Sequence, residues 1–428
     1  MVLRKLHISN YKIFKGEHSV RFPEGNKPAV FIGVNGAGKT TIIEAITGCL
    51  WDFYLKIQGK QLCKNERFNK SNINVYADEF SKVSLNWKSN YSEDLETGFE
   101  ISKTLNPEYK LIGRDKLADY ISNLKGEAGY YKNEVSVDIV VYYPVERTVL
   151  NPSLKSKSIG KNNQFDAFEN AFDSSINFTA FFDWFRSAED LENEMRLNKE
   201  ARYSDKGLNA VRDAILIFLE NYTKIRVRRT SPSAELILEK SGKEFNINQL
   251  SHGEKALIAM VGDLARRLVI ANPGLKNPLN GRGVVMIDEL DLHLHPKWQK
   301  SILGKLVKTF PNIQFICTTH SSLVINHLDK ESVFLLENAR CYTLTERYRD
   351  FNSYGADIED ILKIVQDTGN ILPQDIKEQF DELHQKIESN NIEEARAIIN
   401  ALKEKTDPNQ PELQKAETQI KYKQLLNQ

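Results

Sequence analysis

The apolar positions near the N-terminus fall into two strand-like runs, "LRKLHI" and "AVFIG". A glycine-rich turn follows, then a helical run, "TTIIEAITGCLWDFYL". Residues 72–110 read as short strands separated by polar turns. "VDIVVYY" (Val137 to Tyr143) is an unbroken apolar run, which predicts a buried strand. From about 148 to 221 the chain is charged and aromatic. "FDAFENAF", "FTAFFDWFRSAEDLENEMR" and "GLNAVRDAILIFLENY" there have helical spacing. Two strands, "KIRVRR" and "AELILEK", lead through Ser241-Gly242 to "QLSHGEK" (Gln249 to Lys255) and the apolar helical run "ALIAMVGDLARRLVI". "VVMIDEL" and "IQFICTTH" predict two further buried strands, with the helix "PKWQKSILGKLVKTF" between them. That strand–helix–strand order implies a parallel sheet. The last 70 or so residues are polar and helical, punctuated by Pro373, Asn390-Asn391 and Pro408.

Composition changes this picture little. At 428 residues, 41% hydrophobic and 27% charged, the chain can bury a large core. Lys and Arg together number 58, as do Asp and Glu. Any contact with DNA or RNA must therefore come from a local patch. Cys49, Cys63, Cys317 and Cys341 are scattered without a C-x-x-C pair. That favours reduced thiols in a cytoplasmic protein over a disulfide framework or zinc site. The N-terminus lacks the apolar core of a signal peptide, and no apolar run approaches membrane-spanning length.

Three stretches carry chemistry. "GVNGAGKT" (Gly33 to Thr40) matches G-x-x-x-x-G-K-[ST] between a strand and a helix, as a phosphate-binding loop requires. Backbone N–H groups of Asn35, Gly36, Ala37, Gly38, Lys39, Thr40 and Thr41 would cradle the phosphates of ATP at a helix N-terminus. Lys39 would reach the β- and γ-phosphates, and the Thr40 hydroxyl would meet Mg2+. "VVMIDE" ends an apolar strand in two carboxylates. Asp288 is the expected magnesium partner, through water, and Glu289 is placed to polarise the attacking water. "CTTHSS" ends the next strand in His320, at the same sheet edge as Glu289, where it could bond the γ-phosphate or hold the water. His293 and His295 lie nearby, but no third ligand has helical metal spacing.

"QLSHGEK" has a local reading first. Ser251 and Glu254 form the pattern of a capping box. Lying between the two phosphate-site motifs, "LSHGEK" also resembles the signature of ABC-type ATPases of the SMC and RecF kind. That resemblance implies an α/β ABC-type P-loop ATPase head that forms a homodimer or higher homo-oligomer. It further implies that Ser251 and Gly253 meet the γ-phosphate held by a second copy, with Glu254 in the same nucleotide-binding signature and Asp291 crossing the interface. The family's usual glutamine after "VDIVVYY" is missing. Val145, Glu146 or Arg147 stands there, and Gln249 belongs to the signature loop.

The phosphate-loop and signature motifs lie about 210 residues apart, with no sustained heptad run between them. Long coiled-coil arms are therefore not expected. "YYPVERTV", "FDAFENAF", "FFDWFRSAEDLENE", "LNAVRDAI", "GVVMIDELDLHLHPKWQ" and "YGADIEDIL" together resemble the compact ATPases of bacterial anti-phage defence, the Septu (PtuA) type. Those act with a separate HNH nuclease subunit of the PtuB kind, and no nuclease motif is found in this chain. The implied organisation is a first half-head (1–147), a helical insertion (148–221), a second half-head (222–350) and a helical tail (351–428). A RecF- or SMC-like ATPase of DNA repair is the alternative.

Two features bear on partners. In the tail, Phe380, Leu383, Ile387, Ile392, Ala395, Ile398, Ile399 and Leu402 make one apolar face across two helices. It could dock a partner or pack on the chain's own head. In "KIRVRRT", Arg226 and Arg228 alternate with Ile225 and Val227, and Arg229 follows. These could grip phosphates, or pair with the acidic residues of the insertion.

Overall fold

The computed structural model describes residues 1–25, 27–60, 70–77, 79–89, 92–102, 108–131, 135–145, 163–173, 178–198, 200–229, 234–365, 373–408 and 410–426. It divides into two compact units, Met1–Ile361 and Leu362–Gln428.

In the first unit, β1 (Val2–Tyr11) and β2 (Phe14–Arg21) make a hairpin, and β3 (Ala29–Ile32) runs into α1 (Lys39–Cys49) and α2 (Trp51–Ile57). β4 (Phe80–Ser89), β5 (Ser92–Ser102) and β6 (Tyr109–Ile112) join the hairpin in an antiparallel sheet of order β2-β1-β4-β5-β6. β4 and β5 are 10 and 11 residues long. Their polar residues divide: Lys82, Asn86 and Lys88 keep some exposure, whereas Ser81, Ser84, Ser89 and Thr97 are buried. The helical run after the phosphate loop breaks at Leu50, whose φ of −94° and ψ of 0° close α1 before α2 begins.

After α3 (Arg114–Tyr131), β7 (Ile139–Tyr143) enters a second sheet. α4 (Phe178–Asn198) and α5 (Lys206–Phe218) follow, then β8 (Tyr222–Arg228), β9 (Glu235–Lys240) and β10 (Lys243–Asn246), which form a separate three-stranded sheet. α6 (His252–Ala271), β11 (Gly283–Ile287), α7 (Pro296–Thr309), β12 (Ile313–Thr319) and α8 (Ser322–Ile325) lead to β13 (Val333–Glu337), β14 (Arg340–Thr343), α9 (Leu344–Arg347) and α10 (Ile358–Val365). The second sheet has the order β14-β13-β3-β12-β11-β7. Its strands are parallel except β14. Every residue of β3, β11 and β12 is buried, as continuous apolar runs require in a sheet covered on both faces. α1 lies between the two large sheets, against β4 and β5 on one side and β12 on the other.

The segment expected as a helical insertion packs closely on α6. "FDAFENAF" forms only a short 3-10 helix, Gln164–Phe168, against that helix. Phe181 of α4 reaches α6 where Gly262 leaves room; a Cβ there would sit 2.7 Å from the Phe181 ring. Phe181, Phe182 and Phe185 are buried, each contributing about 2–3 kcal/mol relative to exposure. The acidic face of α4 is also used. Arg212 of α5 donates to Glu189 (2.8 Å) and Glu192 (2.9 Å), both buried. Replacing Arg212 with methionine leaves Glu189 to Arg229 and Glu192 to Arg196, each buried carboxylate losing one of its two cations. The loss expected is about 2 kcal/mol, read as a lower urea midpoint at unchanged slope.

The second unit holds α11 (Gln374–Glu388), α12 (Ile392–Lys405) and α13 (Pro411–Leu426). Phe380, Leu383, Ile387, Ala395, Ile399 and Leu402 are buried in a core that Leu413, Ala416 and Ile420 of α13 complete, with Ile392 and Ile398 packed at its edge. The apolar face expected either to dock a partner or to cover the head is instead largely closed within the tail. The third helix adds Leu413, Ala416 and Ile420 at three- and four-residue spacing, a shorter stripe than those of α11 and α12.

Candidate functional site

Parallel strands bring their carboxyl ends to one edge, and the phosphate-site motifs meet there. β3 ends in the loop Gly33–Gly38. Gly36 (φ 79°) and Gly38 (φ 103°) take left-handed conformations that side chains disfavour. A Cβ on Gly38 would also strike Ile13, 2.5 Å away. Val34 and Asn35 are exposed, Ala37 and Thr41 buried, and the Ala37 amide closes a turn on the Val34 carbonyl at 3.2 Å. Lys39 is buried, its Nζ donating to the carbonyls of Gly33 (2.8 Å) and Val34 (3.1 Å). Burial holds its pKa below the usual lysine value, opposed by the charges of Glu289, Asp288 and Asp291.

β11 delivers the carboxylates. Asp288 and Glu289 follow the strand rather than ending it, in a bend where Glu289 has φ 48°. The Asp288 amide donates to the Tyr143 carbonyl at 2.9 Å, tying the bend to the end of β7. Thr318 fixes both residues at once. Its hydroxyl donates to Asp288 Oδ1 and accepts from the Glu289 amide at 2.7 Å. The Thr40 hydroxyl lies 3.4 Å from Asp288 Oδ1. A hydroxyl and a carboxylate beside a phosphate loop are hard oxygen donors that fit Mg2+.

His320 follows β12 and is half-buried. Burial, then the Lys39 charge, lowers its pKa; Asp291, Glu289 and Asp288 oppose the shift. The imidazole is therefore neutral at pH 7. Asp291 is tied within its own chain: its Oδ1 accepts from the Thr319 hydroxyl and from the His320 amide at 3.2 Å. In "CTTHSS" the histidine stands out and Thr318 and Thr319 do not; their one signal in the sequence is a threonine pair at the end of a buried strand.

The signature lies elsewhere. Ser251 caps α6 in a full capping box. Its amide and hydroxyl donate to Glu254 Oε2 (2.9 and 2.8 Å), and its Oγ accepts from the Glu254 amide at 3.3 Å. Burial would raise the Glu254 pKa, but the Ser251 contacts, Tyr222 and Lys240 hold it below the usual carboxylate value. A Cβ on Gly253 would fall 2.6 Å from the His293 carbonyl and 3.4 Å from Trp298. This glycine is thus needed for packing within the chain. Ser251–Glu254 line a cavity of about 900 Å³ with Tyr222, Lys240 and the His293–Trp298 turn. None of residues 33–41 lines it.

The other candidates find structural partners. His295 caps α7, accepting from the Lys297 amide at 3.2 Å. Among the described residues no group of three or more His, Cys, Asp or Glu could hold a metal ion. Arg226 pairs with Glu244, Arg228 with Glu235, and Arg229 with Glu189 and Asp190. Arg229 thus pairs with acidic residues of the 148–221 segment, whereas Arg226 and Arg228 pair within their own three-stranded sheet. Of the residues at the missing glutamine's place, Glu146 and Arg147 lie outside the described residues. No described helix is long and apolar enough to cross a membrane.

Comparison with known proteins adds a family. A model described as "AAA domain" matches residues 5–223, and a second AAA-domain model matches 152–326. The chain is similar to a retron Vc95 probable ATPase of Vibrio cholerae, 32% identical over 85% of this chain and 79% of that protein. It is similar to the Septu protein PtuA of Bacillus mycoides, 33% identical over 32% of this chain and 18% of that protein. A solved Smc head bound to the C-winged helix domain of ScpA is similar at TM-score 0.48 and 16% identity, covering 80% of this chain and 96% of that one.

Proposed function

The chain belongs to the AAA-domain ATPases, the family of the retron ATPase that it matches over most of its length, and from that premise we propose that it binds ATP between two copies of itself and regulates a partner nuclease in anti-phage defence. One observation carries the two-copy reading. Lys39, Thr40, Asp288, Glu289 and His320 stand around one sheet edge, whereas Ser251 and Gly253 line a cavity that the phosphate loop does not reach. A γ-phosphate touched by both sets calls for the signature of a second copy.

In this reading the loop amides and Lys39 hold the triphosphate. Thr40 and Asp288 would hold Mg2+, which offsets phosphate charge. Glu289 accepts a proton from the attacking water, and the neutral His320 imidazole orients that water or the γ-phosphate. The Ser251 hydroxyl of the second copy turns from Glu254 to donate to the γ-phosphate, with the N–H dipoles of α6 behind it. The partner is an HNH-type nuclease subunit; the similarity to Septu and retron ATPases, and a sequence without nuclease motifs, support that reading.

Complementation tests the shared site. Copies carrying Lys39→Ala and copies carrying Ser251→Arg should each be inactive. Mixed, they should recover about a quarter of the wild-type ATPase rate, since half of randomly paired dimers regain one of two sites. A mixture no faster than its parents would overturn the two-copy reading.

A further inference from the structure

We propose that Tyr222, outside every motif, is a positioning residue that aims the Ser251 hydroxyl through Glu254. The proposal rests on Ser251 meeting nucleotide held by a second copy. Tyr222 opens β8 and is buried. Its hydroxyl donates to Glu254 Oε1 at 2.9 Å. The other carboxylate oxygen, Oε2, receives both the amide and the hydroxyl of Ser251. A capping box needs only the serine and the glutamate. Tyr222 adds a third point that fixes the plane of the carboxylate, and with it the position of the serine Oγ, whose single proton turns from Glu254 to the phosphate when the second copy docks.

The surroundings keep this contact in place. The Lys240 ammonium sits 5.0 Å above the Tyr222 ring and 4.0 Å from Glu254 Oε1, so it steadies the ring without replacing the hydroxyl as donor. Burial, then Glu254, raises the Tyr222 pKa, which keeps its proton available. β8 is also fixed at its far end. The Val227 amide and Arg229 Nη1 both donate to Glu189 Oε2 at 2.9 Å. The strand therefore links α4 to the capping box of α6.

Steady-state ATPase kinetics of Tyr222→Phe, Ser251→Ala and the double variant test this, with thermal melting to confirm that each folds. Phenylalanine keeps the ring and its contact with Lys240 and removes only the hydroxyl. Tyr222→Phe should lower kcat roughly fivefold to tenfold with KM for ATP unchanged, because the phosphate loop is intact. Ser251→Ala should lower kcat further, and adding Tyr222→Phe to it should change nothing more. If the two losses multiply, or if KM rises with the fall in kcat, Tyr222 acts on stability or binding and the positioning role is overturned while the signature reading stands. If Ser251→Ala turns over at the wild-type rate, the signature reading itself fails and this proposal with it.

Discussion

Glu289→Gln is expected to slow ATP turnover by about a hundredfold to a thousandfold while ATP binding persists. The substitution is nearly isosteric, and the backbone around it is fixed independently of the side chain. The Glu289 amide is held by Thr318 at 2.7 Å, and the Leu290 amide by the Thr318 carbonyl at 2.8 Å. What disappears is a carboxylate able to accept a proton, half-buried beside Lys39. Phosphate release measured at saturating ATP should collapse, and nucleotide-held dimers should accumulate in sedimentation. A variant that hydrolyses at the wild-type rate would remove Glu289 from the chemistry.

Lys39→Ala should weaken ATP binding by roughly a hundredfold or more, as loss of a buried charge contact to a phosphate does. Its effect on folding should be small or even favourable. Lys39 is buried with its ammonium on two carbonyls, and burial already works against its charge. Removing it relieves that desolvation, and the Val34 carbonyl belongs to an exposed residue that water can serve. Calorimetric titration should show the lost affinity, and the melting temperature should stay level or rise. Retained affinity would contradict the assignment of the phosphate loop.

What the sequence made legible was local, and what it hid was tertiary. The phosphate loop and the capping box each lie within a few consecutive residues, so their geometry follows from spacing. The parallel core was legible because unbroken apolar strands flank a helix. Thr318 was not, since its importance comes from standing on β12 across from a bend that follows β11. Tyr222 and Glu254 are 32 residues apart. Arg229 stayed open between a phosphate grip and an acidic pair because its partners, Glu189 and Asp190, lie on α4, 40 and 39 residues away. The tail's apolar stripe was read correctly as a stripe. Its cover, α13, carries the shorter stripe of Leu413, Ala416 and Ile420.

Gly262 has a consequence for any attempt to recombine these parts. The missing Cβ on α6 is the seat for Phe181 of α4. A chimera that borrowed α4 and α5 from a relative but kept this α6 would inherit a socket cut for one ring. One that brought in an α6 with alanine at this position would meet that ring with a methyl in its way. Helix pair and signature helix therefore constitute one exchangeable cassette, and crossover points for domain shuffling belong outside residues 178–271.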